Sequence, residues 1–239
     1  MLIDAHCHLA NNQELAPLQI KQQIKAIINC QTPEEWQINS KLTLHRQPLS
    51  FGIHPWDVNK LKFEEIVPYL EQADAVGEIG LDSVWTKNDI KLQTKTFRKQ
   101  LAWAAKKQKP VILHTKGCEK EILAIIRQYP NNYFVHWYDC LKYQKDYIDL
   151  GCYFSICLDV LDNPATIKLA QSVPLDHLLI ETDGLNSVEW LLNKPVSVTD
   201  YPGILKQTLT ALADLRHINS NRLATILGKN LTHFLKQTK

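Results

Sequence analysis

No charge of one sign dominates this 239-residue chain: 27 lysines and arginines face 25 aspartates and glutamates, a net +2. No global field therefore announces nucleic acid or a membrane as partner, and a nucleic-acid role would rest on a local patch. Long apolar runs are missing, so nothing reads as a bilayer span. No basic-plus-apolar leader precedes Asp4. A soluble, cytoplasmic protein without membrane contact is the expectation. The six cysteines, Cys7, Cys30, Cys118, Cys140, Cys152 and Cys157, form no C-x-x-C pair. That argues against a zinc knuckle or a secreted disulfide framework, and reduced, mostly buried thiols are expected. There is no G-x-G-x-x-G after the first apolar run, no repeat at solenoid periods and no low-complexity segment.

What the chain has is alternation. Short apolar runs fall at residues 2–7, 26–30, 49–53, 75–79, 110–113, 133–135, 152–157 and 177–180. Helical patterns lie between them. One follows Thr32-Pro33-Glu34-Glu35, a capping box with proline at the first helical position. The longest covers 89–107, with Ile90, Gln93, Phe97, Leu101 and Ala105 near helical spacing. Others cover 119–128 and 141–150, start at Asn163-Pro164, and close the chain at 202–216 and 220–236. Such alternation predicts parallel strands with helical crossovers. Eight units in a chain near the roughly 250 residues of a TIM barrel predict a (β/α)8 barrel, one domain over 1–239. An apolar fraction of 45% is enough for its core. Residues 184–201 read as a long loop, and such loops tend to be functional.

Polar residues recur where the apolar runs end. The first run contains Ile3-Asp4-Ala5-His6-Cys7-His8, and side chains two apart on a strand point the same way. His6 and His8 thus form a two-imidazole clamp suited to a metal ion. Asp4 shares their side; it either bonds a ligand imidazole or lies deeper in the core. Later ends read Gly52-Ile53-His54-Pro55-Trp56, Gly77-Glu78-Ile79-Gly80-Leu81-Asp82, Leu113-His114, Val135-His136-Trp137 and Glu181-Thr182-Asp183-Gly184. Singly, each has an ordinary explanation: a solvated histidine, a buried acid met by backbone donors, a turn. Together they converge, because the carboxyl ends of all barrel strands meet on one face. Clustering His6, His8, Glu78, His114, His136 and Asp183 without metal would be costly, and divalent metal offsets that cost. Glu78, with two oxygens, is the natural bridge between two ions. Histidine-rich ligation suits zinc or manganese better than magnesium. Trp56, Trp85 and Trp137 follow strand ends, where they either stack on bases or cover the barrel rim. Lys87, Lys91, Lys95, Arg98 and Lys99 form a basic helix face that reads as solvated.

Asp-x-His-x-His, Gly-Ile-His-Pro, Gly-Glu-Ile-Gly-Leu-Asp, Pro-Val-x-x-His and Glu-Thr-Asp stand here in the order of the TatD family, which the chain resembles from Asp4 to Gly228-Lys229-Asn230. The family comprises metal-dependent barrel hydrolases, described mainly as deoxyribonucleases. The resemblance implies a 3'-5' exonuclease-type deoxyribonuclease with a metal-activated water at a dinuclear site. It implies one ion on His6, His8, Glu78 and Asp183 and another on Glu78, His114 and His136, the ions being Zn2+, Mn2+ or Mg2+. His54 matches a substrate or phosphate contact. Asp183 would orient the water and take its proton, with Glu78 bridging. DNA is the expected substrate partner of a monomer with no stable protein partner.

The departures lie around the substrate. Lys116 stands where the family usually has arginine, a point charge in place of a planar fork. Trp137-Tyr138-Asp139-Cys140 and Leu185 also depart from the pattern. His54, Lys116, Trp56 and Trp137 remain the expected substrate contacts. Two other readings stay open. One is an amidohydrolase-type enzyme acting on an amide, ester or lactone, aminoacyl-tRNA deacylation included. The other is a non-catalytic, metal-stabilised nucleic-acid-binding barrel.

Overall fold

Eight parallel strands follow one another around the barrel in sequence order. They are β1 (Ile3–Cys7), β2 (Lys25–Cys30), β3 (Leu49–Phe51), β4 (Ala75–Asp82), β5 (Val111–Lys116), β6 (Tyr133–Val135), β7 (Tyr153–Ile156) and β8 (Leu178–Ile180). The structure, a computed structural model, describes residues 1–44 and 46–236. Residues 45 and 237–239 of the expected span lie outside the described residues. Around the strands stand α1 (Leu15–Lys21), α2 (Pro33–Leu42), α3 (Phe63–Gln72), α4 (Ile90–Lys107) and α5 (Glu119–Ile126). Then come α6 (Gln144–Asp149), α7 (Pro164–Ser172), α8 (Leu185–Leu192), α9 (Tyr201–Leu215) and α10 (Ser220–Leu235). Among the described residues no helix is long and apolar enough to cross a membrane.

Each expected apolar run contains a strand, because strands covered on both faces have no polar face to display. The helix starts show why the chain leaves the barrel where it does. Thr32 Oγ1 accepts from the Glu35 N–H (3.1 Å), and the Glu35 carboxylate accepts from Gln31 N–H (2.7 Å), one residue earlier than a capping box requires. Asn163 and Asp89 cap α7 and α4 through their side-chain oxygens. Along α4, Gln93, Phe97, Gln100, Leu101 and Ala104 are buried, while Ile90 is exposed. Burying Phe97 contributes roughly 1.5–3 kcal/mol. The two glutamines hold strand ends: Gln93 accepts from Asp82 N–H (2.9 Å) and donates to the Asp82 carbonyl (3.0 Å). Gln100 does the same at Ile53 (2.7 and 3.1 Å). Thus α4 fixes the two places from which Asp82 and His54 project.

Two expectations change, and two helices were not foreseen. The stretch 184–201 is no long loop: α8 occupies Leu185–Leu192 and buries Leu185 and Val188, three apart on one face. The helix expected over 141–150 is confined to Gln144–Asp149. Neither α1, seven residues long, nor α3, which carries Pro68 inside, was legible as a periodic segment.

The barrel is drawn together between β1 and β8. Asp183 N–H donates to the His6 carbonyl (3.0 Å). The Asp4 carboxylate accepts from Thr182 N–H (2.9 Å), Thr182 Oγ1–H (2.6 Å) and the Tyr201 hydroxyl (2.9 Å). Asp4 therefore lies deeper in the core, fully buried, and is bonded to these groups. Burial pushes its carboxyl up to about 7 against the pull of those hydrogen bonds. Asp4→Ala would leave three donors stranded and is expected to cost about 2–4 kcal/mol, read as a lower urea midpoint at unchanged slope. Asp4→Asn keeps an acceptor oxygen and is expected to cost less. An unshifted midpoint in Asp4→Ala would show that the seam does not depend on Asp4.

Candidate metal centre

Backbone geometry delivers the side chains first. β4 and β5 run unusually close at Gly80, where any Cβ would collide with the His114 carbonyl oxygen. That approach places Glu78 beside His114. Gly184 holds φ +89° and sits against the His8 carbonyl, so β8 can end against β1. Asp183 and Trp137 are both non-glycine residues at positive φ, +60° and +35°. Strain of that kind collects at functional sites.

Glu78 lies at the centre, nearly fully buried. Its Oε2 faces His6 Nε2 at 3.4 Å and His8 Nε2 at 3.5 Å. Asp183 Oδ1 closes that side, 3.3 Å from His6 Nε2 and 3.6 Å from His8 Nε2. Oε1 faces the other way, towards His114 Nδ1 (2.6 Å), His136 Nε2 and His54 Nε2 (3.6 Å). Three overlapping groups have donor atoms close enough to share an ion: His6, His8 and Asp183; His6, Glu78 and His136; His54, Glu78 and His114. Burial alone would raise the Glu78 carboxyl, but His136, His54 and His114 hold it well below the usual range. Burial likewise opposes ionisation of Asp183, and the imidazoles of His6, His8 and His136 beside it override that.

The donor set fits divalent metal. Lone-pair atoms face one another at contact: His6 Nε2 and His8 Nε2 are 3.2 Å apart, and His114 Nδ1 and Glu78 Oε1 2.6 Å. Asp183 Oδ1 is buried with no hydrogen-bond partner, while its Oδ2 accepts from Ser187 Oγ–H (2.8 Å). Nitrogen and carboxylate donors in this mix suit zinc or manganese.

Outer groups decide which nitrogen His114 and His54 present. Asp82 Oδ2 accepts from His114 Nε2–H (3.0 Å) and from Trp56 Nε1–H (2.7 Å). That leaves His114 Nδ1 free to ligate. Despite burial, bonds from His114, Trp56 and the Val84 and Trp85 backbone hold Asp82 well below the usual carboxylate range. His54 Nδ1 accepts from Trp56 N–H (3.3 Å), so in the neutral ring Nε2 carries the proton and donates. Burial lowers the His54 pKa and favours that neutral form. Glu181 Oε1 accepts from Trp137 N–H (2.8 Å) and lies 3.6 Å from His136 Nδ1.

The cluster floors a cleft of about 560 Å³ that His54, Trp56, Trp85, Lys116, Trp137 and Trp190 help to line. The Lys116 ammonium donates to the Trp137 carbonyl (3.1 Å) and pairs with Asp139 (3.0 Å). The ammonium expected to contact substrate is thus paired within the cleft wall. Sequence reasoning missed the orienting roles of Asp82 and Glu181, and Trp190 altogether. Both acids stand at strand ends, the same signal that marked the histidines. The Leu185, Val188, Leu191 spacing was the signal for the helix that carries Trp190.

A parallel barrel with histidines and carboxylates gathered at its strand ends is the architecture of the metal-dependent hydrolases. The model of the TatD related DNase family matches residues 3–236, and the chain belongs to that family. It is 25% identical to an uncharacterized metal-dependent hydrolase of Buchnera aphidicola, with 98% of this chain and 95% of the relative covered. To the 3'-5' ssDNA/RNA exonuclease TatD of Citrobacter koseri it is 28% identical, with 75% of this chain and 74% of the relative covered. The crystal structure of YJJV, a TatD homologue from Escherichia coli, superposes at a TM-score of 0.82 with 23% identity, covering 100% of this chain and 98% of that one. This last likeness bears on the fold alone.

Asp82→Ala is expected to free both His114 and Trp56 and to weaken metal binding about 10- to 100-fold, measured by equilibrium dialysis against Zn2+ or Mn2+. Unchanged affinity would show that Asp82 orients nothing that ligates.

Proposed function

We propose that this TatD-family hydrolase is a deoxyribonuclease of the 3'-5' exonuclease type, cleaving phosphodiester bonds at a dinuclear centre. The observation that carries the reading is the division of Glu78: Oε2 faces His6, His8 and the Asp183 side, and Oε1 faces His114 and His136. One bridging carboxylate with separate imidazole sets matches two ions, on His6, His8, Glu78 and Asp183 and on Glu78, His114 and His136. Zn2+, Mn2+ and Mg2+ are the candidates, the first two favoured by the nitrogen donors. The exonuclease name carried by the Citrobacter koseri relative supports the choice of reaction. The barrel would act as one domain, a monomer in the cytoplasm, with DNA as its substrate.

Bound divalent metal supplies a water acidic enough to ionise near neutral pH and an electrophile for the phosphoryl oxygen. The protein's own residues do the rest. Asp183 is held ionised, with Oδ2 fixed by Ser187, so Oδ1 is the atom that orients the water and receives its proton. His54 offers an Nε2–H that can donate to a non-bridging oxygen as negative charge grows there. Trp56 and Trp137 contact the substrate as cleft walls, their indole N–H groups anchored on Asp82 (2.7 Å) and Asp159 (3.2 Å). Lys116 serves chiefly to fix Trp137, and reaches a phosphate only by leaving Asp139.

Purified protein incubated with Mn2+, Zn2+ or Mg2+ and end-labelled single- and double-stranded DNA is expected to release mononucleotides from the 3' end. Asp183→Asn is expected to lower turnover about 10³-fold or more, with the fold retained by circular dichroism. Absence of cleavage with every metal would reject the nuclease reading in favour of an amidohydrolase-type reaction. Unchanged turnover in Asp183→Asn would remove Asp183 as the proton acceptor.

A further inference from the structure

The cleft wall is unlike a groove built to follow a nucleic-acid backbone. Such grooves track successive phosphates with lysine and arginine. Here Lys116 is the one lysine or arginine lining the cleft among the described residues, and Asp139 pairs with it. Apart from the acids of the metal cluster, the lining carries Glu35, Asp139, Asp159 and Asp162. Asp159 is buried and bonded to Thr166, Asn163 and Trp137, so the rim itself carries Glu35, Asp139 and Asp162 against one ammonium, and repels anions. The floor differs: two divalent ions against Glu78 and Asp183 would leave it positive enough for one phosphodiester.

The remaining wall is aromatic. Trp190, on α8, is 63% exposed, and Trp85 is 55% exposed. Their rings meet edge to face, with centroids 5.8 Å apart at 89°. Trp190 also meets Trp137 edge-on at 6.1 Å and 70°. Large indole faces this open to water, mutually braced and beside a metal cluster, cover no core. They form a platform for a flat ring.

Building on the nuclease reading, we infer that the cleft binds a single terminal nucleoside with one diester. Trp190 and Trp85 are its stacking platform, and the acidic rim turns away the phosphates beyond. Binding energy comes from the ring and not from the strand. The enzyme therefore releases the chain after each nucleotide and handles a dinucleotide about as well as a long strand. Trp190 is the residue that sets this preference, and no motif in the sequence marks it.

The test is equilibrium binding to the metal-loaded full chain, read by quenching of tryptophan fluorescence. One probe is thymidine 5′-monophosphate, which has no diester to cut. The other is an oligothymidylate of about eight residues with phosphorothioate linkages that resist cleavage. The two are expected to bind within a few-fold of each other and to respond alike to salt between about 50 and 200 mM. Trp190→Ala is expected to weaken both by roughly 5- to 150-fold, and Trp190→Phe to restore most of the loss. Asp162→Lys, an exposed change, is expected to tighten the oligomer more than the mononucleotide. An oligomer bound 100-fold or more tighter, with a salt slope of about 0.7 per contacted phosphate, would overturn the inference. So would a Trp190→Ala variant with unaltered affinities. If nucleotide quenches Trp190-dependent fluorescence as expected but no metal supports cleavage, the nuclease reading fails and the nucleoside platform stands.

Discussion

The mouth of this barrel depends on one buried carboxylate. Glu78 sits where water is excluded and where an isolated charge would be expensive. It is compensated from both sides by His6 on β1 and His114 on β5, together with His8, His136 and His54 in the turns after β1, β6 and β3. Because its two oxygens point opposite ways, the sites on either side cannot vary independently: moving β4 displaces both. Gly80, which lets β4 and β5 close up, and Gln93, which grips the end of β4, therefore serve the chemistry as much as the fold.

The next ring of residues selects which nitrogen His114 and His54 offer. Asp82 accepts from His114 Nε2–H and the Trp56 backbone N–H donates to Nδ1 of His54, so neighbouring rings present opposite characters, one an acceptor and one a donor. Asp82 also holds the indole of Trp56. A single carboxylate thus couples the orientation of a candidate ligand to that of a cleft wall. Glu181 repeats the pattern on the far side, near His136 Nδ1 and bonded to the backbone of Trp137.

Strand-end residues were legible in the sequence because a barrel turns a position along the chain into a position in space. His6, Glu78, His114 and Asp183 stand far apart in sequence, yet each follows or ends an apolar run, and parallel closure brings those ends to one face. Depth was harder to read: alternation put Asp4 on the same side as His6, but only the distance to Thr182 and Tyr201 shows that it serves the seam. Trp190 was hidden for a different reason. Its helix is eight residues long and lies where the expected pattern had a loop, so nothing gave its indole a direction. The role of Lys116 depended on Asp139, a contact that spacing alone cannot reveal.

The seam between β1 and β8 also dictates when activity can appear during synthesis. Asp4 is bonded to residues 178 and 197 positions later in the chain. His6 and His8 are made long before that seam, and the strand that leads to them has no fixed neighbour on one side until Thr182 and Tyr201 have followed. A nascent chain thus holds these two candidate donors through much of its synthesis without Asp183, the carboxylate opposite them. The order of synthesis keeps this cluster unassembled until Thr182, Asp183 and Tyr201 have been made.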